Sequence, residues 1–301
     1  MSKLTDMRDA IGRLVRDGDV VYPAGFTHLM PFAAVHEIIR QRRRDLTICR
    51  ATPDLLFEHL AIAGAVRKLV FSFAGNPGLG TLHTFRRLVE ANELEIEEHS
   101  HYGLVARLFA GAARLPFMPV RTHAGSDLPS VNPLLREVAS PYGGESVPVV
   151  PPLNPDVAIV HVQRCDADGN AQAWGILGEQ RDAAFAAERV IVTAEEIVPS
   201  AVVRADPNRT LIPSFVVDAV VHAPWGAHPS YAQGYYDRDD AFFVRWHALS
   251  REPEQAGAWL RSWVLDLPDL AAYRDRLGDE RMQRLRPAPA PSGTVDYGAY
   301  A

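Results

Sequence analysis

The 301-residue chain carries two cysteines, Cys49 and Cys165, far apart in the sequence. That is too few for a disulfide framework or a thiolate metal set, so free thiols and a reducing, cytoplasmic compartment are expected. Positive charge is also short: 31 Lys and Arg against 37 Asp and Glu leave a formal net charge of −6. Such a balance gives neither nucleic acid nor an anionic membrane a reason to bind. No apolar run approaches the roughly 20 residues of a membrane span. The opening "MSKLTDMRDAIGRLVRDGD" is a charged amphipathic helix without the apolar stretch of a signal peptide. A dinucleotide fingerprint is missing as well. The stretch "VVYPAGFTHLMPFAAVHEIIR" reads strand, loop, helix, but its Gly25 stands alone where G-x-G-x-x-G would let backbone approach a pyrophosphate.

What is present looks like an ordinary soluble globular chain, 47% apolar and 23% charged. Strand-like and helix-like segments alternate, which predicts an α/β fold with a mainly parallel sheet flanked by helices. Strands are expected in "DVVYPAG", "DLTICRA", "KLVFSFAG", "ELEIEEH", "FMPVRT", "DVAIVHVQ", "NAQAWG", "RVIVTAEE" and "DAVVHAP". Helices are expected near Thr5–Arg16, Pro31–Arg43, Pro53–Ala63, His83–Ala91, His101–Ala113 and Glu179–Ala187. Two or three more follow between Asp239 and Leu277, so residues 1–238 read as the α/β domain and 239–301 as a helical extension and tail packed on it. Thr52 and Ser100 stand where helix caps are wanted. The proline-rich "VPVVPPLNPDVAIV" reads as a rigid connector, and "RPAPAPSGTVDYGAYA" as an extended surface tail.

Most of the chemical candidates have a dull explanation. "CDADGNAQAWG" alternates Asp166, Asp168 and Asn170 around Gly169, but the position where a calcium loop needs glutamate is Leu177. A hairpin turning at Asp168-Gly169 is the better reading. Asp166 disfavours a thiolate at Cys165, and Cys49 lies inside an apolar strand. None of the eleven histidines has metal-ligand spacing on a helix, so no metal is expected. His101 opens a helix directly after a strand, where α/β folds gather active-site groups; a surface histidine is the alternative. Glu195 and Glu196 end the strand "RVIVTAEE" and could serve as acid or base, but a structural salt bridge is commoner.

Three glycine-bearing loops say more: "PAGFTHLMP", "FAGNPGLGT" and "THAGSDLPS" each follow a strand. Their glycines leave room for backbone amides to meet a ligand, and such amides suit a carboxylate, a thioester oxygen or a phosphate. The candidate binding residues are Gly25, Phe26 and Thr27, then Gly75, Asn76 and Gly78, then Gly125 and Ser126.

From these loops onward the sequence resembles the A-type subunit of glutaconate CoA-transferase and its relatives, of the class I CoA-transferase family. The resemblance runs in order from about Leu4 to Leu277, through "DLTICRATPD", "PDVAIVHVQRCDADGNAQAWG" and "VIVTAEEIV", and is most specific in "GAHPS" and "GYYD". It implies a CoA-transferase/NagB-RpiA-like fold, CoA and acyl-CoA as substrates rather than bound cofactors, and a B-type partner in an A2B2 heterotetramer. It also implies an active site at the interface between the two types, with the nucleophilic glutamate supplied by the B-type partner. This chain fits the A-type role, since "ICRATPDLL" has no Glu after its second strand and offers Asp54 at a helix start instead. "PAGFTHLMP" then corresponds to the loop that lines the pocket where CoA or acyl group meets that glutamate. Two positions depart from the glutaconate enzymes, Pro77 where a serine is expected and Ala124 where a glutamine is, and both weigh against glutaconate as substrate.

The functional expectation is the A-type subunit of a heteromeric CoA-transferase acting on a small carboxylic acid, with His101 as the one candidate catalytic residue of this chain. A related branch hydrolyses cyclic CoA thioesters of steroid breakdown and carries an acid near the start of the "HYGLV" helix, a position held here by His101 or a close neighbour. A third expectation is a non-catalytic ligand-binding protein of the same fold.

Overall fold

The computed structural model describes residues 2–76, 78–123 and 125–287. Pro77, Ala124 and the stretch beyond 287, with most of the expected tail, lie outside the described residues. The chain runs β1 (Leu4–Thr5), α1 (Met7–Leu14), β2 (Val20–Pro23), α2 (Phe32–Arg40), β3 (Leu46–Cys49), α3 (Leu55–Ile62), β4 (Val66–Phe71), α4 (His83–Glu90), β5 (Glu95–Glu98) and α5 (His101–Ala112). An excursion follows: β6 (Met118–Pro119), a short α6 (Leu128–Val131), β7 (Arg136–Ala139) and β8 (Ser146–Val150). Next come β9 (Val157–Cys165), β10 (Ala171–Gln172), α7 (Gln180–Ala186), β11 (Arg189–Ile197), α8 (Ser200–Ala205), β12 (Thr210–Ile212) and β13 (Ala219–His222). The helices α9 (Asp240–Leu249), α10 (Pro253–Leu260), α11 (Leu270–Leu277) and α12 (Asp279–Arg284) end the described chain.

The main sheet is ordered β1-β13-β11-β9-β2-β3-β4-β5 and is parallel along that whole path. Its strands alternate faces with period two. Val21, Ile48 and Ile159 point into the core beneath α1, α2 and α3, whereas Tyr22, Cys49 and Val160 point into the core beneath α5 and α7. With both faces covered, the strands read as near-continuous apolar runs. The C-terminal helices belong to the first core: Phe242, Trp246, Trp259 and Val264 bury against α2 and α3.

The expected strands all appear, as do the expected helices, trimmed by one to three residues at their ends. The proline-rich connector is a correction. Its first residues, Val147 to Val150, belong to β8 (Ser146–Val150), the middle strand of a three-stranded antiparallel sheet, β6-β8-β7. Pro148 takes part as an acceptor, its carbonyl receiving the Val120 N–H at 2.8 Å. The hairpin at Asp168-Gly169 forms as expected, with Gly169 at φ +102 and Asp166 Oδ1 accepting the N–H groups of Asp168, Gly169 and Asn170.

Candidate active site

Strand order reverses at β2, whose neighbours are β3 on one side and β9 on the other. Loops at the carboxyl ends of strands diverge at such a point and leave a crevice for a ligand. The loop from Ala24 to Pro31 leaves β2 there. Gly25 has φ +119, and a Cβ on it would lie 2.7 Å from the Leu29 carbonyl oxygen and 2.8 Å from that of His28. Thr27 and Leu29 also hold positive φ, at 56 and 53. Such conformations cost on the order of 1–3 kcal/mol each and persist only where the surroundings dictate them.

Here the surroundings come from both directions. Buried Arg50 donates to the carbonyls of Pro23 (2.5 Å) and Gly25 (3.0 Å) and pairs with Asp54 at 2.7 Å. From the other side Ser230 Oγ donates to the Thr27 carbonyl (2.6 Å), and the Leu29 N–H to that of Tyr231 (2.9 Å). His28 is fixed at both nitrogens. Its Nε2 accepts the Gln233 N–H at 3.1 Å, so the proton sits on Nδ1 and is donated to the Ile176 carbonyl at 2.8 Å. Burial lowers the His28 pKa, consistent with that neutral form. The end of the "GAHPS" segment and the residues that follow it, Ser230, Tyr231 and Gln233, are thus the brace of this loop.

The braced loop presents Phe26 beside His101, with ring centroids 6.3 Å apart, edge to face. His101 Nδ1 lies 2.9 Å from Ser72 Oγ, and its Nε2 lies 3.9 Å from Glu179 Oε1. The His101 side chain is 50% exposed and that of Glu179 8%. Among the described residues no donor lies within hydrogen-bonding distance of the Glu179 carboxylate. Its charge reaches Tyr22, whose phenol is pushed up by burial first and by Glu179 second. Four exposed apolar side chains lie close to these groups in sequence: Phe73 and Tyr102 follow Ser72 and His101, and Ile176 and Leu177 come shortly before Glu179.

The second glycine loop meets the first on its inner side. Asn76 Oδ1 caps α3 by accepting the Leu55 N–H at 2.9 Å, and a small cavity of about 10 Å³ between Thr27, Met30, Asp54, Asn76 and Leu79 joins the two loops. The Asn76 Nδ2 is buried without an acceptor among the described residues, and the space suits one water. Gly75 packs on the Phe73 ring, whereas Gly78 has open space around it. In the third loop, Thr122 Oγ1 is 2.7 Å from Ser100 Oγ, at the N-terminus of α5 beside His101. Gly125 and Ser126 lie further along, lining a groove with Arg136 and Ser146 of the small sheet.

The two strand-end glutamates have different fates. Glu195 is buried in a network: its Oε1 lies 2.7 Å from His161 Nε2 and accepts the Tyr236 hydroxyl, and its Oε2 accepts the Trp225 N–H at 2.7 Å. Glu196 is exposed and accepts the Tyr235 hydroxyl at 2.9 Å. Asp54 caps α3 through the Leu56 N–H and pairs with Arg50, its carboxyl pushed up by burial despite that partner. Burial pushes the Cys49 thiol up to about 12, and burial with Asp166 pushes Cys165 higher still. Arg50, Ser72 and Glu179 were not singled out by the sequence. A usable signal existed for Ser72 and His101: they follow neighbouring parallel strands in the register Phe71↔Glu98.

These features define an α/β protein with a crevice at the carboxyl edge of a parallel sheet, an exposed histidine and a largely buried glutamate standing at its mouth. The family model for coenzyme A transferase matches residues 4–223. The A-type subunit of 3-oxoadipate CoA-transferase from Pseudomonas knackmussii is 46% identical over 282 residues, covering 93% of this chain and 99% of that protein. The crystal structure of glutaconate coenzyme A-transferase from Acidaminococcus fermentans superposes with a TM-score of 0.92 at 35% identity, covering 96% of each chain. The cholesterol ring-cleaving hydrolase IpdA subunit of Rhodococcus jostii is 34% identical over 84% of this chain and 88% of its own length. The chain belongs to the class I coenzyme A transferase family, as one of its A-type subunits. Among the described residues no helix is long and apolar enough to cross a membrane.

Proposed function

We propose that the chain is the A-type subunit of a heteromeric enzyme that moves CoA between an acyl-CoA and a small carboxylic acid, with a B-type partner supplying the nucleophilic glutamate. One observation carries the reading: the rigidly braced loop at Gly25 holds Phe26 and His101 at an open edge fringed by exposed Phe73, Tyr102, Ile176 and Leu177. A site finished on this side and open on the other suits completion by a second protein chain. The chemistry needs a carboxylate that attacks the thioester carbonyl, forming an anhydride and releasing CoA thiolate. The thiolate then attacks the glutamyl carbonyl, releasing the free acid and leaving an enzyme–CoA thioester. Backbone amides of the glycine loops supply oxyanion donors for each tetrahedral stage. Relatives at 46% and 35% identity are named for 3-oxoadipate and glutaconate, so dicarboxylic acids are the first acceptors to assay.

A second reading keeps the complex and lets water accept the acyl group. The His101–Glu179 pair supports it, as does the 34% identity to the ring-cleaving hydrolase, because such a pair could handle the proton of an attacking water. The test is turnover by the complex of this chain with a B-type partner, with and without an acceptor acid. CoA should pass to the acid, and little acyl-CoA should be lost without one. Full turnover by this chain alone, with no B-type protein detectable by mass spectrometry, would sink the heteromer.

A further inference from the structure

Ser72 Oγ sits 2.5 Å from the Ala51 carbonyl oxygen and 2.9 Å from His101 Nδ1. Two oxygens that close need a proton between them, and the carbonyl has none to give. The single hydroxyl proton of Ser72 is therefore committed to Ala51, and toward His101 the oxygen can only accept. His101 Nδ1 must then carry a ring proton, and in the neutral imidazole the lone pair is on Nε2. That lone pair faces the Glu179 carboxylate at 3.9 Å, too far for a hydrogen bond and, with no proton between the two, a pair of acceptors side by side. The Glu179 side chain is only 8% exposed, and it finds no donor among the described residues. Phe26 closes the opposite side: its Cβ lies 3.2 Å from where a Cβ on Gly178 would stand, next to Glu179.

Resting on the proposed function, we infer that Ser72 is a positioning residue that holds His101 in its Nδ1–H form. His101 Nε2 and Glu179 then offer an acceptor pair to a hydrogen-bond donor of the bound CoA ester. The donor is an O–H on the acyl group or an amide N–H of the CoA arm. A ligand carboxylate is disfavoured at this spot, where it would face a carboxylate and a lone pair at once. The two halves of the device come from neighbouring elements: Ser72 follows β4 and His101 follows β5, so the alignment is set by sheet register.

The experiment reads the imidazole nitrogens of His101 by 15N NMR in the histidine-labelled complex with its B-type partner, the signal being assigned by its loss in His101→Gln. Nδ1 should resonate as protonated and Nε2 as unprotonated. In Ser72→Ala the pattern should shift to a mixture of both tautomers, and Ser72→Thr, which keeps the hydroxyl, should restore it. Adding 3-hydroxybutyryl-CoA should move the Nε2 resonance, and coenzyme A alone separates an acyl hydroxyl from the amides of the CoA arm. A protonated Nε2 in the wild type, or a Ser72→Ala spectrum equal to wild type, overturns the tautomer device. An Nε2 resonance that moves with neither ligand overturns the acceptor role. The spectra need no turnover, so a complex that shows the expected pattern yet transfers no CoA sinks the transferase reading and supports this one.

Discussion

Arg50 Nη2 donates at 3.0 Å to the carbonyl oxygen of Gly25, tying the end of β3 to the loop that leaves β2. The same guanidinium also reaches the Pro23 and Thr52 carbonyls and the Asp54 carboxylate. One buried cation thus fixes a strand end, a strained loop and a helix start together. Its planar fork is what allows four acceptors to share it, which an ammonium could not do. The loop's conformation is therefore a tertiary property, stored in the sheet beneath it.

Gly25→Ala tests the strain. A Cβ would meet two backbone oxygens at 2.7 and 2.8 Å, and backbone cannot swing aside as a side chain can. The loop must shift, with a stability loss of about 1–3 kcal/mol and a steep fall in kcat/KM. Gly18→Ala is the control, since Gly18 also has positive φ but nothing within 4 Å. It should lose about 1–2 kcal/mol with kcat/KM unchanged. Equal kinetic effects in the two variants would show that the close approach at Gly25 is irrelevant to the site.

Arg50→Met should cost about 3–5 kcal/mol, because it leaves Asp54 buried and uncompensated. Arg50→Met with Asp54→Leu should recover much of that, measured by thermal unfolding of the complex. Activity should not return in the double variant, since the Gly25 and Pro23 carbonyls still lack their donor. Recovery of both would reduce Arg50 to a stability element.

Much of this was legible in the sequence, and the failures have physical causes. Period and punctuation revealed every long strand because strands buried on both faces carry near-continuous apolar runs, as in "DVAIVHVQ". The strand Ser146–Val150 escaped because Pro148 argues against a ladder position, and here it sits in one as an acceptor. Glycines flagged the loops, but nothing local marks Arg50 as their anchor. Glu179 read as a helix start, and its meeting with His101 depends on how α7 packs against α5. Pairings across the sheet are invisible to a pattern that runs along it.

Acid should loosen the C-terminal helices from the core. His59 of α3 stacks on Trp259 at 4.7 Å and meets Trp246 edge-on at 4.7 Å, with Nδ1 3.1 Å from His36 Nε2. Burial lowers its pKa from 6.5 to about 3, and burial with the His59 charge also lowers that of His36. The unfolded chain binds the proton first as pH falls below 6.5, so stability is full above that value and is lost progressively toward pH 3. Each unit of the gap is worth roughly 1.4 kcal/mol. His59→Phe, in a box already lined by Phe32, Trp246 and Trp259, should flatten the dependence of Tm on pH between 6.5 and 4. A slope equal to wild type would place the acid sensitivity elsewhere.

The sharpest expectation concerns the covalent intermediate. When the complex is mixed with acyl-CoA and no acceptor, a glutamyl–CoA thioester should accumulate, and borohydride reduces it to an alcohol that survives digestion. The mark is expected on a glutamate of the partner. Within this chain Glu195 cannot serve, because its side chain is 2% exposed and is held in a buried network by His161, Tyr236 and Trp225, out of reach of a substrate. Glu196 is held by Tyr235 on the exposed side of that network. The rival that geometry raises is Glu179, a buried carboxylate with no donor among the described residues and with His101 at 3.9 Å. With no donor beside it, this carboxylate keeps its lone pairs free for attack, and it stands at the start of a helix with Phe26 packed on the neighbouring Gly178. Mass spectrometry of the digested complex decides among the carboxylates. The label on Glu179 would give this chain the catalytic role and turn His101 into the group beside its own nucleophile. The label on the partner, with Glu179→Gln slowing its formation, would keep the nucleophile in the partner and leave Glu179 as a group that orients the acyl-CoA.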